Sequence, residues 1–423
     1  MRIGIIGVGT VGSGVVEIIR KHSAQWNKEG VVVGIAGICA RTTEELAPYT
    51  AMGYRTTTTA NDLIQDSSID TIVELAGGYE LPRQWITAAL QTGKSVVTAN
   101  KALLAKYGHE IFPLAAQKNA HVLFEAAVGG GIPIIRSIQE SLTGNTILSL
   151  SCIINGTCNY ILTQMTQNGL AFADALSQAQ AKGYAEADPT FDIEGIDAAH
   201  KTALLASLAS GKRVDFQKME VTGITNVSAE DIQYAGQFDC TIKLLGNFRN
   251  RGDSVDARVH PCLIPNEHLL SSVNGVLNAV YLECDHLGPT LQTGAGAGKL
   301  PTASAVVADL VSLARPGDRK PLSMNWFQDS NNASIMPLEE LETKYYFRFT
   351  TKDACGVLAG ITSVLAKHSI SVESILQKGI SDPGKVSIVV LTEKTLERKV
   401  RAALAEIDSL EAVTEPSRML RFL

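Results

Sequence analysis

Residues 2–21 read RIGIIGVGTVGSGVVEIIRK. The run 2–6 is short, apolar and β-branched, as a buried strand requires, and 11–21 carries its apolar residues at helical spacing. Between them, Gly7-Val8-Gly9-Thr10-Val11-Gly12 matches GxGxxG. Gly7 makes the tight turn, Gly9 lets backbone approach a pyrophosphate, and Gly12 lets helix and strand pack closely. The helix N-terminus then offers free N–H groups to phosphates. The motif alone is weak. Here it leaves a strand and opens a helix, which is the context that a dinucleotide site needs.

Working outward, further strands are expected at 31–38, 71–76, 95–98 and 122–124, with helical segments between them. Alternating strands and helices with apolar strands imply a doubly wound parallel sheet of the Rossmann type, an α/β domain over residues 1–130. The second strand ends Gly37-Ile38-Cys39-Ala40-Arg41, with no carboxylate for a ribose hydroxyl. Arg41 at that place suits a 2′-phosphate, so NADP is expected to be preferred over NAD.

Residues 131–330 change to an α+β character, with strands near 147–154, 255–260 and 276–283 and a long helix over 192–210. The run GAGAGKLPTASAVV from Gly294 opens a helix over 299–315, whose apolar face is expected to return to the first domain or to meet another subunit. A polar, acidic stretch, 331–344, reads as a linker. The remainder, 345–423, follows the ferredoxin-like order βαββαβ, with the last strand from 413 onward.

Composition bounds the function. Of 423 residues, 45% are hydrophobic and only 19% charged, which points to real cores and to an oligomer with buried subunit faces. The net charge of −6, with no basic block, argues against nucleic acid as a partner. The uncharged stretch 141–173 is too polar to span a membrane. The opening residues lack the shape of a secretory leader, and seven scattered cysteines without a CxxC pair fit reduced thiols, so a cytoplasmic location is expected. The eight histidines show no zinc-ligand spacing.

The chemistry concentrates in 183–201, GYAEADPTFDIEGIDAAHK. Asp197 and Lys201 stand four apart on one helix face, shared with Leu204 and Leu208, which suggests a partly buried pair. An ordinary ion pair or a divalent-metal site are the competing readings, and the lysine argues against the metal. Lys101, after Thr98-Ala99-Asn100, lies at the carboxyl end of a strand, where open α/β sheets bind ligands. A lysine ammonium can both stabilise a developing alkoxide and deliver its proton, and an acidic pair such as Glu186 and Asp197 can hold a substrate ammonium. These parts suggest reduction of an amino-acid-like aldehyde.

The chain resembles the homoserine dehydrogenases, in their long form with a C-terminal ACT domain. The likeness runs through GVGTVGSGVV (7–16), VVTANKALLA (96–105), FEAAVGGGIPII (124–135), NGTCNYILTQM (155–165), 183–201, IKLLG (242–246) and GAGAGKLPTASAVV (294–307). The resemblance implies reversible reduction of L-aspartate 4-semialdehyde to L-homoserine, on the route to threonine, methionine and isoleucine, by a homodimer or homotetramer. It implies Lys201 as acid/base, with Lys101 assisting catalysis and contacting cofactor. It implies Glu186 and Asp197 for substrate, and Gly7, Gly9, Thr10, Val11, Gly12, Arg41, Gly183 and Gly298 near the cofactor. Glu125, with Val128, Gly130 and Ile132, matches a monovalent-cation (sodium or potassium) site. Asp353–Gly356, that is Asp353-Ala354-Cys355-Gly356, matches the ACT turn, with threonine as the implied effector and Asp353 and Gly356 at its site; Cys355 replaces the usual proline.

Overall fold

The computed structural model describes residues 1–315, 324–382 and 385–423; the stretch 316–323, inside the middle region as read from the sequence, and 383–384 lie outside the described residues. Six strands form the first sheet: β1 (Arg2–Ile6), β2 (Gly34–Cys39), β3 (Thr56–Thr57), β4 (Thr71–Glu74), β5 (Ser95–Thr98) and β6 (Val122–Leu123). Their spatial order is β3-β2-β1-β4-β5-β6, and every pair is parallel. The order reverses between β1 and β4, which places the ligand crevice beyond their carboxyl ends. The second strand begins at Gly34 rather than at 31, because pairing with β1 starts at Arg2↔Gly34; Val31 and Val33 are buried ahead of it as core residues.

The glycine turn is shaped by contact. Gly7 has φ +95° and lies against the chain after β4, where a Cβ would stand 2.7 Å from the Ala76 nitrogen. A Cβ on Gly12 would stand 2.0 Å from the Gly7 carbonyl, whereas one on Gly9 would meet nothing within 4 Å. The helix Thr10–Lys28 carries a further glycine that the motif does not include. A Cβ on Gly14 would lie 2.9 Å from the Ala303 Cβ and the Lys299 carbonyl. This is where the returning helix, Lys299–Ala314, crosses; its Ala303, Val306 and Leu310 share one core with Val15, Val16 and Ile19.

The second sheet runs through both remaining regions. In spatial order its main path is Gly288–Ala295, Leu277–Cys284, Ile147–Ile153, Cys240–Asn250, Ser254–Pro265, Arg418–Phe422, Tyr345–Lys352, Lys385–Thr392 and Val372–Asp382. Two of these strands, Cys240–Asn250 and Gly288–Ala295, were not foreseen; the second reads GPTLQTGA, with little β-propensity to mark it. The final four strands, with helices Val357–Lys367 and Glu397–Ile407 packed on one face, form the expected ferredoxin-like unit.

That unit does not hang from a linker. Its last strand starts at Arg418, not 413, and pairs in parallel with the middle region through Cys262↔Arg421 and Leu263↔Phe422. The stretch read as linker is itself woven in: Ser334–Ile335 lies parallel to Ser254–Val255, and Glu342–Thr343 pairs with Thr395–Leu396. A third short segment, Glu220–Val221, pairs with Arg258 and Val259. Unpaired strand edges are unfavourable, and side-chain periodicity carries no record of which segment will cover them. Buried charge joins the same units. Asp231, on the helix Ala229–Gln237, accepts bonds from Arg348 Nε at 2.7 Å and Tyr346 Oη at 3.0 Å.

No helix among the described residues is long and apolar enough to cross a membrane. The helix crossing at Gly14 gives a test of the fold. Gly14→Val forces two packed backbones apart and should lower stability by about 1–3 kcal/mol, as overpacking does. Urea unfolding at fixed pH would read it, and an unchanged midpoint would contradict the close crossing.

Candidate active site

The site lies where the first sheet's crevice meets the middle region. Its cofactor side is a loop held by one buried carboxylate. Glu74, at the end of β4, accepts Thr98 Oγ1 at 2.7 Å and the Ala76 and Gly77 amides at 2.9 and 3.2 Å. Burial pushes its carboxyl pKa up, and these donors oppose the rise. Asn100 caps the helix Lys101–Gln117 by accepting the Leu103 amide, and its Nδ2 ties down the Gly78 carbonyl at 2.7 Å. The cleft so framed is lined by Val11, Leu75, Gly77, Tyr79, Lys101 and, from the middle region, Phe191.

The substrate side begins with a break. The helix expected over 192–210 is two helices, Thr190–Ile193 and Ile196–Ser210, separated by Gly195 at φ +82°. The turn brings Asp192 and Asp197 to one amide: Asn155 Nδ2 donates to Asp192 Oδ1 at 2.7 Å and to Asp197 Oδ2 at 2.9 Å. Asn155 Oδ1 meanwhile caps the helix Gly156–Asn168 at the Cys158 amide. Lys201 Nζ donates to Asp197 Oδ2 at 2.6 Å and to the Ile154 carbonyl at 3.0 Å. Lys101 Nζ reaches Asp197 Oδ1 at 3.3 Å from the other half of the molecule.

The electrostatics follow from this placement. Burial works to raise the Asp197 pKa, but the Lys201 and then the Lys101 charges override it and hold the value near about 2. Asp192 moves the other way: burial raises it, and the neighbouring Asp197 charge adds to the rise. His200, wedged against the rings of Phe191 and Phe216, is pushed down by burial to about 4 and stays neutral.

The residues singled out from sequence therefore divide. Asp197, Lys201 and Lys101 form one contact. Glu186 does not join it: its side chain is exposed and takes part in no hydrogen bond or ion pair among the described residues. Only its backbone is fixed, its carbonyl accepting Gln180 Nε2 at 3.1 Å. Gly183 makes a left-handed turn after the helix Phe172–Ala181, at φ +72°. Arg41 is 91% exposed and faces Glu45 at 3.6 Å. Gly298 begins the helix Lys299–Ala314 at φ +114° with no side-chain cap. Thr10 and Val11 open the first helix, also uncapped. Asn155, Asp192 and Glu74 were missed as site residues; the uncharged NGT run held the only signal, since an Asn before a helical stretch is a cap.

The turn 125–132 is buried except at Gly131, which is exposed. Glu125 accepts the Ile135 and Arg136 amides at 2.8 and 2.9 Å. Its own amide donates to Asp309 at 2.9 Å. Burial and then the Glu125 charge push the Asp309 pKa up to about 7. Gly129 and Gly130 are left-handed, and among the described residues the Val128 and Gly130 carbonyls accept no N–H bond, while that of Ile132 accepts the Ile134 amide. In the C-terminal unit, Gly356, at φ +88°, opens the helix Val357–Lys367 without a cap, beside exposed Asp353 and Cys355.

Comparison with known proteins gives three family matches: "Homoserine dehydrogenase, NAD binding domain" over 7–125, "Homoserine dehydrogenase" over 133–311 and "ACT domain" over 345–412. The chain is 43% identical over 427 aligned positions to a homoserine dehydrogenase of Neisseria gonorrhoeae, covering all of this chain (100%) and 98% of that one. It is 42% identical to that of Pseudomonas aeruginosa at the same coverage, 100% and 98%. The crystal structure of a homoserine dehydrogenase from Thiobacillus denitrificans superposes with a TM-score of 0.93 at 44% identity, covering 100% and 98% of the two chains. A hyperthermophilic archaeal homoserine dehydrogenase in complex with NADPH matches 75% of this chain and 99% of its own, with a TM-score of 0.63 at 28% identity.

The depressed Asp197 pKa has a signed consequence. A folded value near 2 lies below the unfolded value of about 3.9, so its stabilising contribution is complete above about pH 5 and is lost as pH falls through about 2. Asp197→Asn should lower stability by about 3 kcal/mol near neutral pH, as for a broken buried pair, and the gap from wild type should narrow below about pH 4. Urea unfolding in steps from about pH 7 to about pH 3 reads both; a gap independent of pH would contradict the assignment.

Proposed function

The chain belongs to the homoserine dehydrogenase family and is an NAD(P)-dependent oxidoreductase, and from that premise we propose that it reduces L-aspartate 4-semialdehyde to L-homoserine, reversibly, with NADPH as the preferred donor. The observation that carries this reading is the Lys101–Asp197–Lys201 contact across the cleft.

The open face at Gly9 and the uncapped start of the helix Thr10–Lys28 suit a pyrophosphate, and exposed Arg41 suits a 2′-phosphate. Val11, Leu75, Tyr79 and Phe191 line the cleft beside them, and Gly298 and Gly183 are read as cofactor contacts. Bound NADPH supplies a hydride to the aldehyde carbon. Lys201 delivers the proton to the oxygen that becomes the alcohol. Asp197 and the Ile154 carbonyl occupy two of the three ammonium N–H bonds and aim the third. Lys101, a third exposed and on the longer contact, is free to turn toward substrate or cofactor. Glu186, with no partner of its own among the described residues, joins Asp197 in holding the substrate ammonium.

Glu125 and the carbonyls of Val128, Gly130 and Ile132 are proposed to hold a monovalent cation; two of those carbonyls have no N–H partner among the described residues, which suits that role. A cation there fixes the turn and takes part in no chemical step. Threonine is the proposed effector, at Asp353–Gly356, that is Asp353 and Gly356 with the residues between. The proposed setting is threonine, methionine and isoleucine biosynthesis in the cytoplasm. A homodimer or homotetramer is supported by the low charge content and by leucines exposed on sheet strands, Leu148 and Leu277.

NADPH oxidation by the purified protein with aspartate semialdehyde tests the reading. Lys201→Ala should lower kcat by about 100-fold or more while leaving NADPH binding intact. Near-wild-type turnover would remove Lys201 from the role, and no wild-type turnover from folded protein would sink the activity itself. Threonine in a parallel assay should suppress turnover, and indifference to it would discard the effector. Arg41→Ala should raise the KM for NADPH by about 10-fold or more and leave that for NADH nearly unchanged, since a charge-assisted phosphate contact is lost.

A further inference from the structure

One side chain joins the glycine-rich turn 294–298 to Lys201. Asn278, near the start of the strand Leu277–Cys284, is 1% exposed. Its Nδ2 donates to the Ile154 carbonyl at 3.1 Å, and that carbonyl is the one that accepts Lys201 Nζ at 3.0 Å. On the opposite side Gly296 lies flat against the same amide. A Cβ on Gly296 would stand 2.1 Å from Asn278 Nδ2 and 2.4 Å from its Oδ1. Gly296 is not among the left-handed glycines, so its neighbour, not its backbone, demands the missing side chain.

The contact continues outward. Gly130 presses on Gly296, where a Cβ would come within 2.4 Å of the Gly296 carbonyl. Asn278 pairs with Gly294 across the two strands, and Thr293 Oγ1 closes onto the Asn278 carbonyl at 3.0 Å. Asn278 Oδ1 accepts no bond among the described residues. Turning the amide over would set that oxygen against the Ile154 carbonyl, so the bond from Nδ2 fixes its orientation.

We propose that Asn278 is a positioning residue: it holds the Ile154 carbonyl, and through it the Lys201 ammonium, in register with the turn 294–298. The inference rests on the reading of Lys201 as proton donor. With two N–H bonds of the ammonium committed, the direction of the third follows from where Asp197 and the Ile154 carbonyl sit. A shift of that carbonyl misdirects the proton without removing any group that touches substrate. Displacements of about 1 Å at such sites cost about 100-fold in rate. The loss should therefore fall on kcat, with KM for the semialdehyde unchanged.

The test is a cycle of Asn278→Ala, Gly296→Ala and the double variant, each checked by circular dichroism and NADPH binding. Each single change should lower kcat by about 10- to 100-fold at unchanged KM. The double variant should be no slower than Asn278→Ala, because the added methyl then occupies space the amide has left. Wild-type kcat in Asn278→Ala, or losses that multiply in the double variant, would overturn the proposal. If Asn278→Ala does not fold, Gly296→Ala decides alone: reduced kcat at constant KM supports it, and unchanged kcat overturns it. Lys201→Ala in the same series separates the two claims. Retained turnover there removes the proton-donor reading, whereas an inactive Lys201→Ala beside an unaffected Asn278→Ala removes only the role of Asn278.

Discussion

Asp197 is a carboxylate almost fully out of water, and the cleft is built around keeping it charged. Removing such a group from solvent costs several kcal/mol unless cations and donors replace the lost hydration. Here the replacements come from three separate elements. Lys201 lies on its own helix, Asn155 precedes the helix Gly156–Asn168, and Lys101 begins the helix that follows β5. Lys201 and Asn155 come from the middle region itself, and Lys101 adds a second cation from the other half. The contact between the two halves thus runs through the same carboxylate as the Asp197–Lys201 pair, which itself lies within one helix.

The helices divide by how they begin. Those that open at Asn100, Asn155 and Ser228 are closed by their own side chains. The helices Thr10–Lys28, Lys299–Ala314 and Val357–Lys367 open at a bare glycine with no acidic residue in the first turn. Their first-turn amides and positive dipole ends have no side-chain cap to meet them. The helix Ile196–Ser210 also opens at a bare glycine but supplies its own anion, Asp197, in its first turn. That helix end therefore helps to hold down the very carboxylate on which the cleft depends.

Much of this was legible in the chain. GxGxxG between a strand and a helix marks the first sheet because two of its three glycines, Gly7 and Gly12, answer a local steric demand. The pair Asp197 and Lys201 was readable because four residues make one helical turn. What was not readable depended on distant contact. Nothing near Gly14 announces that a helix from residue 299 will lie on it. Asn155 was not singled out: it caps the helix Gly156–Asn168, and its second duty to two aspartates needs the break at Gly195. Glu186, grouped with Asp197 on charge and on the family resemblance, makes no contact with it, its side chain being exposed on the turn before the helix Thr190–Ile193.

The edge of Ser254–Pro265 is covered by three short patches, at residues 254–255, 258–259 and 262–263, drawn from three places in the chain. Only the last belongs to the C-terminal unit. Loss or gain of that unit in a lineage would thus expose or cover merely one corner of the edge, a small change in strand pairing. The side-chain contacts are less forgiving. Without Arg348, buried Asp231 would keep its place on the middle region's helix and lose its cation. Shedding the unit would also strip Tyr346, Val389 and Leu391 from the core that they share with the middle region, so a chain that dispensed with it would need polar residues on the face left bare.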